Sequence, residues 1–258
     1  REDSARQLTR AFAQPGFNNF ETRKLKNLFV ATLTQYEPGL EAKVVFPPVA
    51  VNNYLSQIIS QRGLKQFKIA ETEKYAHATY FFNGGEENPF PDEERKIIHS
   101  APITRFNETP AMKASKITSE LSRAISSGQY DFLLANFANA DMMGHSGDYE
   151  AGVKAVQILD EAVGQIMKAV LEADGALIIT ADHGNADEMI NKLTGEINTE
   201  HSSNPVPCYL IANSLKKEKN PAQIKEMNDA AKVKGILQDV TATVLDLLGI
   251  PPPNNMDG

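Results

Sequence analysis

The sequence predicts an α/β fold, a mainly parallel sheet flanked by helices. Short apolar runs at 130–137 and 207–212 alternate with helical patterns, as in strand–helix–strand units. Between 151 and 173, Val156, Leu159, Val163, Ile166 and Val170 advance by threes and fours, which lays one apolar stripe along a helix. The run Ala176-Leu177-Ile178-Ile179-Thr180 then stops at Asp182-His183-Gly184. It reads as a strand buried on both faces. In open α/β sheets, ligands gather beyond the carboxyl ends of such strands.

The elements follow in order. Residues 4–13 form a helix with Leu8 and Phe12 on one side, broken by Gln14-Pro15-Gly16. Residues 28–33 and 43–46 are strands, and Pro47-Pro48 marks a domain boundary. Residues 50–62 are helical, with Gly63 as the stop. Residues 67–70 form a strand, 71–75 a polar connection, and 77–82 a second strand closed by Asn83-Gly84-Gly85. A proline-containing loop at 86–92 leads on to a helix at 115–125 and the strand at 130–137. Residues 138–148, with Gly144 and Gly147, read as a loop. The long helix ends at Asp174-Gly175. Residues 214–225 are Lys-rich surface, and a helix at 240–248 stops before Gly249 and a proline tail.

A net charge of -7 and a pI near 5.3 argue against nucleic-acid binding. No apolar run approaches the roughly 20 residues of a membrane helix. Cys208 is alone, so no internal disulfide forms, and a cytoplasmic setting is expected. The opening Arg1-Glu2-Asp3-Ser4-Ala5-Arg6 reads as a helix without initiator Met or signal peptide, so a longer parent chain is expected.

Of the five histidines, His145, His183 and His201 lie in polar loops beside strand ends. Asp141 accompanies the first and Asp182 the second. If the strands are parallel neighbours, the three loops converge. Imidazole with carboxylate suits manganese or zinc better than calcium, which takes oxygen ligands. Asp182 and His183 would face opposite ways in an extended chain, and Gly184 lets the backbone bend. The bland alternative is an Asp-capped turn. His99 reads as structural or surface, and His77 as part of its strand. Lys74, after Glu71 and Glu73, is either a surface ion pair or a functional cation. Arg1 and Arg6 are either phosphate contacts or helix-surface charge.

The words Asn136-Phe137-Ala138-Asn139-Ala140-Asp141-Met142-Met143-Gly144-His145, Ile179-Thr180-Ala181-Asp182-His183-Gly184-Asn185-Ala186 and His201-Ser202-Ser203-Asn204-Pro205-Val206-Pro207 resemble the cofactor-independent phosphoglycerate mutases. That family is a metal-dependent branch of the alkaline phosphatase superfamily. Glu71-Thr72-Glu73-Lys74-Tyr75-Ala76-His77 and Phe81-Phe82-Asn83-Gly84-Gly85 match too. The resemblance implies two divalent ions, manganese, and no bisphosphoglycerate cofactor. It implies that Asp141, His145 and His201 hold one ion while Asp182 and His183 help hold the other. Lys74 would be catalytic at the phosphoryl-transfer centre and touch substrate, and Arg1 would clamp substrate phosphate. The implied reaction interconverts 2- and 3-phosphoglycerate through a phosphoserine, in glycolysis and gluconeogenesis. The implied partner is that small substrate, with no nucleic acid or membrane, and the complete protein is expected to be a monomer.

There are departures. Ser4 stands where the family has a second clamp arginine. The family's nucleophilic serine and one Asp ligand come from an N-terminal strand with no counterpart here. Residues 1–47 would be the end of the phosphotransferase domain, and 48–258 most of the metal-binding phosphatase-like domain. The isolated chain is therefore expected to be inactive. A metal-dependent phosphatase or phosphopentomutase of the same superfamily is the alternative.

Overall fold

The computed structural model describes residues 2–23, 25–47, 52–102, 105–227, 229, 233–254 and 256. Arg1 and Pro48, which carried sequence expectations, lie outside them, as do Ala50 and Val51 at the start of the expected 50–62 helix. The chain divides into two compact units, Arg1–Asn52 and Asn53–Gly258.

In the first unit, helix α1 spans Glu2–Ala13. Strands β1 (Ala31–Thr32) and β2 (Lys43–Val44) pair in parallel. These are two-residue stubs where longer strands were expected at 28–33 and 43–46. A ladder extends only as far as a partner does, and Phe29, Leu33 and Phe46 stay exposed beside it. Arg10 Nε pairs with Glu37 Oε2 at 2.6 Å across this unit.

The second unit starts with helix α2 (Leu55–Gln61), closed by Gly63 at φ 68°. Strand β3 (Gln66–Glu71) is buried along its length, between β4 (Glu93–Ile98) on one edge and β5 (Phe132–Asn136) on the other. Both pairings are parallel. Helix α3 (Ala114–Ser126) covers one face: Phe67 and Ile69 of β3 pack with Ile98, Ile117, Leu121, Ile166 and Val170.

Helix α4 spans Asn139–Ser146, and α5 spans Tyr149–Glu172. The Asp148 carboxylate caps α5 by accepting from Ala151 N at 3.0 Å. The buried face of α5 runs through Ala151, Ala155, Ala162, Ile166 and Val170, while Val156, expected in the stripe, is exposed. Small residues win that face because α3 and α4 both pack closely against α5. The left-handed residue that stops α5 is Asp174 (φ 54°), just ahead of Gly175.

Strand β6 (Ala176–Thr180) pairs antiparallel with β7 (Cys208–Ala212). The expected burial of β6 on both faces is not observed: with one neighbouring strand among the described residues, it is half-buried at best. Helix α6 spans Pro221–Met227 within the exposed Lys-rich stretch. Helix α7 (Asp239–Leu247) sends Leu245 into a second cluster with Leu55, Ile58, Ile59 and Ile250. Among the described residues, no helix is long and apolar enough to cross a membrane.

Two further expectations are corrected. Residues 77–82 form a π-helical turn, His77–Phe81, in place of a strand. Both edges of β3 are already taken, so this segment's β-forming residues have no ladder to join there. Thr79 Oγ1 bonds back to Tyr75 O at 2.7 Å instead. The loop expected at 138–148 is largely α4, which Gly147 terminates at φ 71°. Strand β4 was missed because it is charged. Its Glu93 is buried against Lys68 of β3 at 3.1 Å, and its Lys96 pairs with Glu120 of α3 at 2.8 Å.

Candidate metal centre

Topology brings the candidate residues to one end of the strands. The chain leaves β3 into a short 3₁₀ turn, Thr72–Lys74, which carries Lys74. It leaves β5 into α4, which carries Asp141 and His145 four residues apart on one helical face. It leaves β6 into Asp182 and His183. Because β7 runs antiparallel to β6, the segment entering β7, with His201, lies at the end where β6 exits.

Asp141 is the hub, and its two oxygens are used differently. Lys74 Nζ lies 2.7 Å from Oδ2. His145 Nε2 and His201 Nε2 lie 3.3 and 3.5 Å from Oδ1. The two Nε2 atoms are 3.1 Å from each other. The His183 ring stacks on His201, centroids 3.6 Å apart. One ligand atom each from Asp141, His183 and His201 falls within a 4.8 Å span. Asp182 is set apart: its side chain is 65% exposed, and its Oδ2 meets His183 Nε2 at 3.5 Å. Arg6 is on α1 in the first unit.

The hydrogen bonds orient the imidazoles. His145 Nδ1 sits 2.9 Å from Thr199 O. A carbonyl only accepts, so Nδ1 carries the proton, and Nε2 of the neutral ring offers a lone pair. His183 Nδ1 has the same relation to Gly184 O at 3.3 Å. A lone pair on His145 Nε2 that faces another Nε2 and a carboxylate oxygen calls for a cation or a proton between them. Donors about 2.1 Å from a metal sit roughly 3.0–3.5 Å apart in octahedral or tetrahedral arrangements. The Asp141–His145–His201 edges of 3.3, 3.5 and 3.1 Å match that spacing. The donor set therefore fits a divalent transition metal.

Burial pushes the Asp141 carboxyl up, but the Lys74 ammonium and the Asn185 amide outweigh it and hold the group below its ordinary range. Asp141 is thus an anion available as a ligand. The Asp187 carboxyl is likewise driven up by burial, and brought below its usual range by Asn204 and Ser202. Ser202 Oγ donates to Asp187 Oδ2 at 2.9 Å, and Asn204 Nδ2 donates to the same oxygen at 2.6 Å. This clasp joins the His183 loop to the His201 loop. Gly184 serves it: its backbone bridges to Ser202, and a Cβ there would overlap Ser202 Oγ. Close approach, not the bend expected from sequence, is what requires glycine at 184.

Sequence reading passed over His77, Asn185 and Asp187. His77 faces the charges of Lys74, Asp182, Asp141 and His183, and burial, then Lys74, lowers its pKa. Asn185 directly follows the Asp-His-Gly word and Asp187 comes two residues later, and their position there was the available signal. Ser202 is a loop hydroxyl whose bonds go to Asp187. His99 is exposed just past β4.

Comparison with known proteins agrees with the geometry. Residues 17–252 match the family described as the Metalloenzyme superfamily. A 2,3-bisphosphoglycerate-independent phosphoglycerate mutase 2 of Methanosarcina barkeri is 46% identical over 258 residues, all of this chain and 47% of the relative. The 2,3-bisphosphoglycerate-independent phosphoglycerate mutase of a Synechococcus strain is 43% identical over 260 residues, covering all of this chain and 48% of its own length. The chain thus spans about half the length of these curated relatives. Among solved structures, Leishmania mexicana phosphoglycerate mutase, crystallised at low cobalt concentration, superposes with a TM-score of 0.73 at 30% identity. That match covers 98% of this chain and 47% of the other.

Proposed function

This chain belongs to the Metalloenzyme superfamily, and from that premise we propose that it carries the metal-binding part of a cofactor-independent phosphoglycerate mutase. The reaction is the interconversion of 2- and 3-phosphoglycerate through a phosphoserine, without diffusible bisphosphoglycerate. The observation that carries this reading is the division of Asp141, with Oδ2 on Lys74 and Oδ1 facing two imidazole nitrogens.

In this reading Asp141, His145 and His201 hold one ion, and Asp182 and His183 contribute to a second. Ions held there would supply activation of a hydroxyl nucleophile and neutralisation of phosphate charge. Phosphoryl transfer depends chiefly on alignment and charge stabilisation. Lys74 supplies fixed positive charge beside the ion site, where the equatorial phosphate oxygens would gather. Asp141 keeps that ammonium in place until substrate competes for it. The tautomer set by Thr199 keeps the His145 lone pair directed inward.

Manganese is the metal of this reading, supported by the mixed imidazole and carboxylate donors. A cytoplasmic monomer is the proposed form, and the exposed free thiol of Cys208 accords with a reducing compartment. The Arg1–Asn52 unit is read as the end of a substrate-holding phosphotransferase domain, and Arg1 as part of its phosphate clamp. The nucleophilic serine is assigned to the part of the relatives that this chain does not span.

The test is a product assay on the intact protein with 3-phosphoglycerate and manganese, without added bisphosphoglycerate. The expected product is 2-phosphoglycerate at equilibrium ratio, with no inorganic phosphate. Release of phosphate without 2-phosphoglycerate would replace the mutase with a phosphatase.

A further inference from the structure

Asn185 is 5% exposed and reaches from the loop after β6 onto α4. Its Nδ2 donates to Asp141 Oδ1 at 3.0 Å and to Asp141 O at 3.3 Å. Both partners are acceptors, so the orientation of the amide is unambiguous. The other end, Asn185 Oδ1, is buried with no hydrogen-bond partner. An orphaned buried acceptor is a liability that folded proteins seldom keep without a use.

Gly144 lies directly beneath this amide. It sits inside α4, with ordinary helical backbone, where glycine weakens a helix relative to alanine. A Cβ at 144 would overlap Asn185 Oδ1 and its amide carbon. The glycine is therefore explained by the side chain lying across it, not by a turn.

We infer that Asn185 is a positioning residue for Asp141, and that Gly144 is the seat that lets it reach. This rests on the metal-centre reading above. A carboxylate held only by Lys74 through Oδ2 is free to rotate about its last bond. The second hold, from Asn185 on Oδ1, fixes the carboxylate plane. One lone pair of Oδ1 goes to the amide, and the other is left facing His145 and His201. Asn185 also stands two residues after His183, so the same contact ties the His183 loop to the helix bearing Asp141 and His145. Loading of one ion site then depends on the loop that serves the other.

The test is a double-mutant cycle in the intact protein, Asn185→Ala, Gly144→Ala and both together. The readouts are Mn²⁺ affinity by equilibrium dialysis, the visible spectrum of the Co²⁺-loaded protein, and the thermal midpoint of the metal-free protein. Loss of an outer-shell partner typically weakens metal binding about 10–100-fold. Each single variant should lose affinity on that scale and shift the Co²⁺ bands. The double variant should bind no more weakly than Asn185→Ala, since removing the amide vacates the space that a methyl group at position 144 needs. Wild type that binds Mn²⁺ alongside an Asn185→Ala variant that binds it equally, with an unchanged Co²⁺ spectrum, overturns this inference alone. So do additive losses that track the metal-free thermal midpoint, which mark a packing role. Wild type that takes up neither ion overturns the metal-centre reading as well.

Discussion

Replacing Lys68 with methionine tests whether the centre of the sheet is held by charge. The Lys68 side chain is 0% exposed. Its ammonium donates to Ser56 Oγ at 2.7 Å and to Asn83 Oδ1, pairs with Glu93 Oε1 at 3.1 Å, and lies 4.8 Å from the centre of the Phe82 ring. Lys68→Met keeps length and packing but strips Asn83 Oδ1 of its donor, a loss of roughly 1–3 kcal/mol for a buried acceptor. Glu93 loses one partner but keeps Arg95 Nε at 2.6 Å, Asn83 Nδ2 at 2.8 Å and Phe90 N at 3.1 Å. That places the pair's contribution at the low end of the roughly 3–5 kcal/mol for breaking a buried ion pair. Relief of the desolvated ammonium offsets part of both, leaving a net loss of about 2–3 kcal/mol at pH 7. The pH dependence is the sharper signature. Burial, opposed by Glu93, pushes the Lys68 ammonium down to about 8 from 10.5. Between those values the unfolded chain still holds a proton that the folded protein has released, so wild-type stability rises with pH. The slope approaches 1.4 kcal/mol per pH unit, and below pH 8, where both states are charged, this group adds none. The variant lacks the group, so the gap between the two proteins should widen by about 1 kcal/mol per unit from pH 8 to 10. Urea midpoints measured at pH 7, 8, 9 and 10, with equal denaturant slopes, read that gap directly. Parallel curves would show that burial does not depress the Lys68 ammonium, and a variant as stable as wild type at pH 7 would show that the bonds of that ammonium add no net stability.

Chelation should lower the thermal midpoint, and excess Mn²⁺ should restore it. Ligand at about 100 times its Kd stabilises by roughly 2.7 kcal/mol, and a midpoint indifferent to both treatments removes the ion site. Bound Mn²⁺ should also be lost on acidification, because its ligands must be deprotonated; constant metal content from pH 8 to 5 argues against imidazole ligation. Lys74→Met should cut turnover at saturating Mn²⁺ by about 10²–10³, the scale of losing one fixed electrostatic contact to the transition state. Near-normal turnover would make Lys74 only a partner for Asp141. Gly184→Ala should push Ser202 off Asp187 and separate the His183 and His201 loops; hydrogen exchange across 183–204 should quicken, and unchanged protection would mean that the clasp does not hold them.

Much of the site was legible because its signals are chemical and local. An apolar run ending on Asp-His is conspicuous in a sequence, and so is Asp141 four residues before His145. The residues that arrange these side chains carry no such mark. Asn185 and Asp187 are an ordinary amide and an ordinary carboxylate until a folded chain sets them against Asp141 and Ser202. Strand β4 hid for a related reason. Glu-Glu-Arg-Lys reads as surface, and only a lysine buried on the neighbouring strand makes Glu93 an interior residue. The π-helical turn at His77–Phe81 erred the other way, with β-forming residues placed where no strand edge was open.

Periodicity and residue chemistry by themselves determined the α/β class, the long helix after Asp148, and the kinds of donor available to an ion. These are properties of neighbours in the chain, set by side-chain spacing and by what each group can bind. Tertiary structure alone decided which oxygen of Asp141 meets Lys74 and which meets the imidazoles, and why glycine stands at 144 and 184. Those outcomes depend on contacts between segments more than 40 residues apart, such as Asn185 on Asp141, or on loops that touch only once β6 and β7 pair. Such contacts leave no period in the sequence, because nothing in the spacing of one segment depends on the other until both are folded.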